Sequence, residues 1–342
     1  MKVILATTIV PFIKGGGTMI VDMLAMKLRE YGHEVADIRI PFHSYYLDMP
    51  EQMLAIRLLD VTRHGDRLIC VRTPSYLLRH PHKVLWFIHH HRPAYDLWDT
   101  VYGMSHAPMG RIFREYFIRA DELAFRESER IFTNSKEMSR RLREYNGIDS
   151  KVLYPPLLTP ENFSCKSYGD YIFYPSRICP AKRQGMAAEA MRYTRTPVKL
   201  VIAGKYDTEE CCSDLAQNLR GLKDKVILID RWISEKEKFE LFANSLAVCY
   251  IPMLEDSYGY VSLEAAYSRK TVISCLDSGG TNELLKHGAN GFLTESNPKA
   301  LAECFDELYD NKQKAQNMGD SLLDRVKELK IDWDTVIGGL TG

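Results

Sequence analysis

Two acids eight positions apart, Asp256 and Glu264, flank a Tyr258-Gly259-Tyr260 turn, and further on Ser278-Gly279-Gly280-Thr281 stands before Glu283. A carboxylate accepts hydrogen bonds from two hydroxyls at once, which suits a ribose diol or the hydroxyls of a sugar. Glycine at a helix start lets a ligand reach free backbone amides, and those amides favour anions and hydroxyl oxygens. Either loop alone is equally well explained as helix capping through Asp256 or Ser278. Two such loops on successive strands shift the reading towards a ligand site.

The other concentration of chemistry is "KVLWFIHHHRPAYDLWDT", where His89, His90 and His91 follow an apolar strand and precede Arg92 and Asp96. Histidines satisfied by backbone bonds are the plain reading. A metal site is the sharper one, since His80 and His82 lie nearby. Neighbours on a strand point to opposite faces, so His89 and His91 could converge while His90 could not. No H-E-x-x-H pair or cysteine pair completes a shell, so no metal ligand is assigned. "KGGGT" at Lys14 to Thr18 lacks the spacing of a phosphate loop, and no G-x-G-x-x-G fingerprint is present there.

The elements that must position these residues repeat one rhythm. "KVILATTIV" reads as a buried strand, and "KGGGT" breaks it. Ile20, Val21, Leu24, Leu28 and Tyr31 then recur at helical spacing up to Gly32, and "HEVADIRI" follows as a strand. This βαβ order predicts a parallel sheet with helices on both faces. Further strands are read at 67–73, 83–89 and 130–135, with a helix over about 111–129. Three prolines between Pro155 and Pro160 interrupt the pattern. The rhythm resumes with strands at 171–176, 198–204, 225–230, 247–252, 271–275 and 291–295, and with helical stretches at 182–193 and 234–245. The fold class expected is α/β, two doubly wound Rossmann-like domains, 1–158 and 159–325, with parallel sheets facing across a cleft. A helix over 326–342 would return towards the first domain. Ligands of such sheets lie beyond the carboxyl ends of the strands.

With 45 basic and 45 acidic side chains among 342 residues, no overall field draws the chain to nucleic acid. The eight cysteines show no C-x-x-C pair and several sit in apolar runs, as thiols of a reducing, cytoplasmic compartment do. The apolar start leads straight into a glycine turn with no small-x-small cleavage site, so it reads as a strand and not as a signal peptide. No apolar run reaches the roughly 20 residues of a spanning helix. In "RIFREYFIRADELAFRE", Phe113, Tyr116, Phe117, Ala120 and Leu123 recur at helical spacing beside Arg111, Arg114 and Arg119. The stripe is either a buried helix face or a peripheral membrane contact.

The run "EDSYGYVSLEAAYSRKTVISCLDSGGTNELLKHGANGFLTE" resembles the donor-site signature of the family 4 retaining glycosyltransferases, the glycosyl transferases group 1, which have the GT-B fold. "YPSRICPAKR" is similar to the family's Gly-Arg-x-x-x-x-Lys segment, "DWDTVIGGL" to its closing helix, and "KGGG" and "YPP" to its amino-terminal glycine loop and domain junction. The resemblance implies that Glu264 holds ribose hydroxyls and that Arg177 and Lys182 bind the diphosphate. Asp256, in a place usually held by Glu, would contact the donor sugar, with adjacent Glu255 as a substitute. Backbone amides from Ser257, Tyr258, Gly259, Tyr260 and Val261, and from Gly279, Gly280 and Thr281, would hold sugar and phosphate oxygens. Gly15, Gly16 and Gly17 would let diphosphate and acceptor approach the first domain, and His89 would contact the sugar, with His90 and His91 as register alternatives. "SRKTV" lacks the family's usual glycine, and Arg231 replaces another.

The implied activity is hexosyl transfer with retention from a nucleoside diphosphate sugar, GDP-mannose preferred and a UDP-sugar as the other candidate, to a hydroxyl of a glycan or lipid-linked acceptor. Polysaccharide or glycoconjugate synthesis is the setting implied. The donor is a co-substrate, and no cofactor or metal is expected. A sugar-nucleotide 2-epimerase and a non-catalytic sugar-nucleotide-binding protein remain as alternatives.

Overall fold

The structure is a computed structural model that describes residues 1–10, 16–43, 45–100, 102–253 and 258–342. The chain divides into two units. The first comprises Met1–Pro155 and Ile331–Gly342, and the second Pro156–Lys330.

In the first unit the chain runs β1 (Lys2–Ile9), α1 (Gly16–Glu30), β2 (Glu34–Pro41), α2 (Met49–Leu58), β3 (Arg67–Cys70) and β4 (Lys83–Phe87). It continues with α3 (Gly110–Arg126), β5 (Arg130–Thr133), α4 (Lys136–Asn146) and β6 (Lys151–Val152). The six strands form one parallel sheet in the order β2-β1-β3-β4-β5-β6. The apolar start is indeed a central strand, with Val3, Ile4, Leu5 and Ala6 fully buried between β2 and β3. Helix α1 buries Ile20, Val21, Leu24 and Leu28 as the spacing predicts, whereas Tyr31 falls past its end and is exposed. The strand read over 83–89 stops at Phe87, so the three histidines occupy non-strand backbone and strand alternation does not govern them.

In the second unit the elements are β7 (Tyr171–Pro175), α5 (Gln184–Ala190), β8 (Lys199–Ala203), α6 (Glu209–Asn218), β9 (Val226–Ile229), α7 (Glu235–Asn244) and β10 (Ala247–Cys249). They are followed by α8 (Tyr260–Tyr267), β11 (Val272–Cys275), β12 (Gly291–Thr294), α9 (Pro298–Asp310) and α10 (Lys312–Glu328). The parallel sheet has the order β12-β11-β10-β7-β8-β9. The last helix, α11 (Trp333–Thr341), packs on the first unit. Trp333 meets Trp86 of β4 edge to face at 6.5 Å, and Arg130 Nη1 donates to the Gly339 carbonyl at 3.0 Å.

Each sheet has a switch point, where successive strands are added first on one side and then on the other. It falls between β1 and β3 in the first unit and between β7 and β10 in the second. Loops at the carboxyl ends of such strand pairs diverge and leave room for a ligand.

Two of the departures from the family pattern, the SRKTV turn and Arg231, have local partners. Arg269, in the SRKTV turn, adopts the left-handed region at φ 52°, which glycine takes without strain, and pairs with Asp320 at 2.8 Å. Arg231 pairs at 2.6 Å with Glu237, the acid that closes the capping box of α7 with Ser234.

Candidate functional site

The cations named from the sequence, Arg177 and Lys182, both follow β7, at the carboxyl edge of the second sheet. Arg177 follows β7 and bonds Asp207 at 3.0 and 3.1 Å, with both side chains nearly half exposed. Lys182 ends a short 3₁₀ turn, Pro180–Lys182, and is buried at 7% exposure. Its Nζ donates to Tyr250 Oη at 3.1 Å, just past the end of β10, and lies 5.3 Å from that ring's centre. A buried cation held by a phenol at the end of two diverging strands suits a diphosphate, whose charge it would meet in a medium of low dielectric.

Arg183 was not singled out from the sequence and proves central. Its backbone is left-handed at φ 56°, and its guanidinium spans three loops. Nε and Nη2 donate to the Ile251 and Pro252 carbonyls after β10, at 2.7 and 2.9 Å. Nη1 and Nη2 form a fork with Asp277 after β11, at 2.8 Å each, and Nη1 reaches Ser296 Oγ after β12 at 3.1 Å. The hydrogen bond from Arg183 holds the Asp277 carboxyl below its usual range. Asp277 is thus a tie between loops. The legible signal for Arg183 is the basic pair Lys182-Arg183 beside a Pro-Ala turn.

Glu255, Asp256 and Ser257, and with them the sugar contact expected of Asp256, lie outside the described residues, as does Gly15. Immediately beyond, Gly259 caps α8 in an extended conformation, so the helix opens where the sequence indicated, and Glu264 lies one turn inside it. Gly259 has a packing reason to be glycine. A Cβ there would come within 2.8 Å of Thr281 Oγ1 and 3.0 Å of Tyr250 Cε1. The turn after β11 is a 3₁₀ helix, Gly279–Leu284, and not an α-helix start; Gly279 takes φ 64°, which glycine adopts without strain. Ser278 makes no side-chain cap there. Gly259 and Thr281 bring the two glycine loops into contact. The hydroxyls of Thr281 and Tyr260 are buried without a partner among the described residues, and Tyr258 packs edge to face on Tyr260 at 5.7 Å. Val261, like Tyr260, is partly buried in the first turn of α8, and Gly280 is buried beside Thr281. Buried orphan hydroxyls are costly unless something bonds them.

Glu264 is not open on all sides. Its Oε1 accepts from Lys238 Nζ of α7 at 2.8 Å, and 12% of its side chain is exposed. Burial pushes the carboxyl above its ordinary range, and the Lys238 charge pulls in the opposite direction. Burial also opposes the charge on Lys238, but Glu264 and then Glu235 more than offset it, so this ammonium is held protonated.

In the first unit, α1 starts at Gly16, in the chain segment after β1. A Cβ on Gly17 would meet Arg72 Nε at 3.3 Å. Arg72 follows β3 and donates to the Thr8 carbonyl at 3.2 Å, bridging that unit's switch point. Of the three histidines, His90 is 2% exposed inside a cage of Phe87, Tyr95 and Tyr145, with Nε2 2.8 Å from Asn146 Oδ1. His91 packs on Phe117 at 5.4 Å, and burial lowers its pKa to about 4. His89 is partly buried and donates from Nδ1 to the His90 carbonyl at 2.7 Å; burial lowers its pKa as well. An imidazole whose Nδ1 carries the proton presents Nε2 as an acceptor. His80 and His82 are occupied elsewhere, by the Gly65 carbonyl at 3.2 Å and by Glu129 at 3.0 Å.

Two six-stranded parallel sheets with flanking helices match the GT-B architecture, and solved structures share this fold. Over 99% of both chains the fold matches that of Alr3699/HepE from Anabaena in complex with UDP and glucose, with a TM-score of 0.72 and 16% identity. It also matches WaaG, a glycosyltransferase involved in lipopolysaccharide biosynthesis, over 100% of both chains, with a TM-score of 0.75 and 12% identity. Residues 164–322, most of the second unit, match the family model of the glycosyl transferases group 1. The alpha-1,3/1,6-mannosyltransferase ALG2 of Homo sapiens is 32% identical over 139 residues, 38% of this chain and 32% of that protein. The chain therefore spans about a third of the length of the curated relatives it matches.

Proposed function

We propose that the protein transfers a hexosyl unit, with retention, from a nucleoside diphosphate sugar to an acceptor hydroxyl. The observation that carries the reading is Lys182, buried and bonded to Tyr250 at the β7–β10 switch point. Lys182 and Arg177 would take the diphosphate, Glu264 the ribose, and the Gly259 and Thr281 loops the remaining oxygens. As the glycosidic bond loosens, negative charge grows on the diphosphate, and these cations stabilise it more in the transition state than in the bound donor. The leaving phosphate oxygen can take the acceptor's proton, so no separate base is assigned. Asp256 and His89 are proposed to touch the transferred sugar. The family match and the transferase relatives favour this reading over an epimerase.

GDP-mannose is the preferred donor, by analogy with the mannosyltransferase relatives, and a UDP-sugar is the alternative suggested by the Anabaena complex. We also propose that no metal ion is required, since Lys182 and Arg177 would supply the positive charge that the diphosphate needs. The test is incubation with GDP-mannose, UDP-glucose and UDP-N-acetylglucosamine and a panel of glycan and lipid-linked acceptors, with and without chelator. Nucleotide release and glycosylated acceptor, undiminished by chelator, are expected; nucleotide sugar recovered intact with every acceptor would contradict the reading.

A peripheral membrane contact is proposed for α3. Phe117 is buried as core, but Met109, Ile112, Tyr116 and Leu123 are exposed, with Leu54 and Leu58 of α2 also exposed in the same unit. Arg111, Arg119 and Arg126 lie exposed on α3, which suits an anionic surface bearing a lipid-linked acceptor. Among the described residues no helix is long and apolar enough to cross a membrane. Cosedimentation with vesicles containing anionic lipid should be lost in Ile112→Asp; equal sedimentation of wild type and variant would contradict the contact.

A further inference from the structure

Glu264 is the carboxylate to which the proposed function gives the ribose hydroxyls, yet the structure surrounds it with groups that govern its charge. Lys238 of α7 approaches it at 2.8 Å and Glu235 of the same helix approaches Lys238 at 2.9 Å. On α8 the Tyr260 phenol feels the Glu264 charge. The stem of Lys238 is packed near Phe163 and Phe239, whose ring centres lie 5.8 and 5.9 Å from Nζ, and 20% of the side chain is exposed. A capping box holds the first turn of α7, so Lys238 projects from a fixed helix start.

A carboxylate that accepts from two ribose hydroxyls must be ionised, because a neutral carboxyl offers one donor and weaker acceptors. Burial alone favours the neutral form of Glu264. One oxygen, Oε1, is committed to Lys238, which fixes the rotation of the carboxylate and leaves its remaining acceptor sites for a ligand. Resting on the transferase reading, we propose that Lys238 is a positioning residue that keeps Glu264 ionised and oriented for the ribose of the nucleotide. It acts through the carboxylate and touches no reacting atom.

The sign of the pH effect follows. Removing a cation 2.8 Å away raises the Glu264 pKa further, so nucleotide affinity should begin to fall at higher pH as the solution is acidified. An adjacent opposite charge typically moves a carboxyl by about 1 to 3 pH units.

The experiment is calorimetric titration of UDP, GDP and ADP between about pH 5 and pH 8, with the tightest nucleotide taken forward to the variants. In Lys238→Met the acid limb of affinity against pH should move up by at least about one unit, with binding about tenfold weaker on that limb. Lys238→Arg should restore the wild-type limb. Lys238→Gln keeps a polar stem without charge and should behave like Lys238→Met, so the test survives if the methionine variant does not fold. Glu264→Gln should abolish the limb in both backgrounds. A Lys238→Met or Lys238→Gln profile superimposed on wild type, or uniformly weakened with the limb unmoved, overturns the proposal and leaves Lys238 as packing. Wild type that binds none of the three nucleotides removes the transferase reading together with this one, whereas a normal wild type with unshifted variants removes this one alone.

Discussion

Asp121 offers the sharpest pH test of the first unit. It lies on the inner face of α3 at 2% exposure, accepting from Tyr76 Oη at 2.8 Å and Tyr95 Oη at 2.7 Å. No cation pairs with it among the described residues. Burial raises its pKa from 3.8 to about 7, against the pull of the two tyrosine hydroxyls. The neutral acid has a ready network, since Tyr76 Oη also lies 2.9 Å from Thr73 Oγ1 and can donate there while Asp121 donates to it. A raised folded pKa means that the fold favours the protonated form. The stability contribution is complete below about pH 4, is lost as pH rises through about 7, and is constant above. At 1.36 kcal/mol per pH unit this comes to about 4 kcal/mol in all, of which about 3 kcal/mol falls between pH 5 and pH 8.

Asparagine imitates the neutral acid and does not titrate. Asp121→Asn should therefore gain on wild type by about 3 kcal/mol between pH 5 and pH 8, whatever its offset at pH 5. Urea unfolding followed by tryptophan fluorescence reports mainly on this unit, because Trp86, Trp98 and Trp333 all belong to it. An identical mutant-minus-wild-type difference at both pH values would show instead that Asp121 is ionised throughout. The outcome bears on function because Tyr95 belongs to the segment that follows His89 and cages His90.

Arg183→Ala and Arg183→Gly both remove the fork to Asp277 and the bonds to the Ile251 and Pro252 carbonyls, so each should weaken nucleotide binding at least about tenfold by calorimetry. Alanine must also hold φ 56°, so it should melt below glycine by the equivalent of about 1 kcal/mol; equal melting would contradict the strain assignment. Gly259→Ala should destabilise the protein by about 1 to 3 kcal/mol, because its Cβ meets Thr281 and Tyr250. Adding Thr281→Ala should restore part of that loss in a thermal unfolding assay, and no restoration would mean that the crowding comes from elsewhere.

Much of the architecture was legible because it rests on short-range pattern. The β-branched run before a glycine break is β1, the 3.6-residue spacing of Ile20 to Leu28 is α1, and all six strands read in the second half exist, each one to three residues shorter than read. Helices α2, α4, α6, α9 and α10 were not read, and β6 pairs through only two residues, too few for any periodicity. On α3 the apolar count misplaced the buried face: Leu123 is exposed and Asp121 is inside, because two tyrosine hydroxyls from distant segments satisfy it. Arg183 and Lys238 were missed for a related reason. Each gains its role from a partner far along the chain, Asp277 for one and Glu264 for the other, and spacing within a sequence does not reveal such pairings.

The central claim is that the second unit binds a nucleoside diphosphate through Lys182. The measurement is binding of UDP, GDP, ADP and their common sugar conjugates to wild type and to folded Lys182→Ala. Selective binding of one nucleotide by wild type, weakened in the variant together with a turnover loss of more than about tenfold, or about 1.4 kcal/mol of barrier, is the result expected. No nucleotide binding to wild type at millimolar concentration, or binding and turnover unchanged in Lys182→Ala, would contradict it.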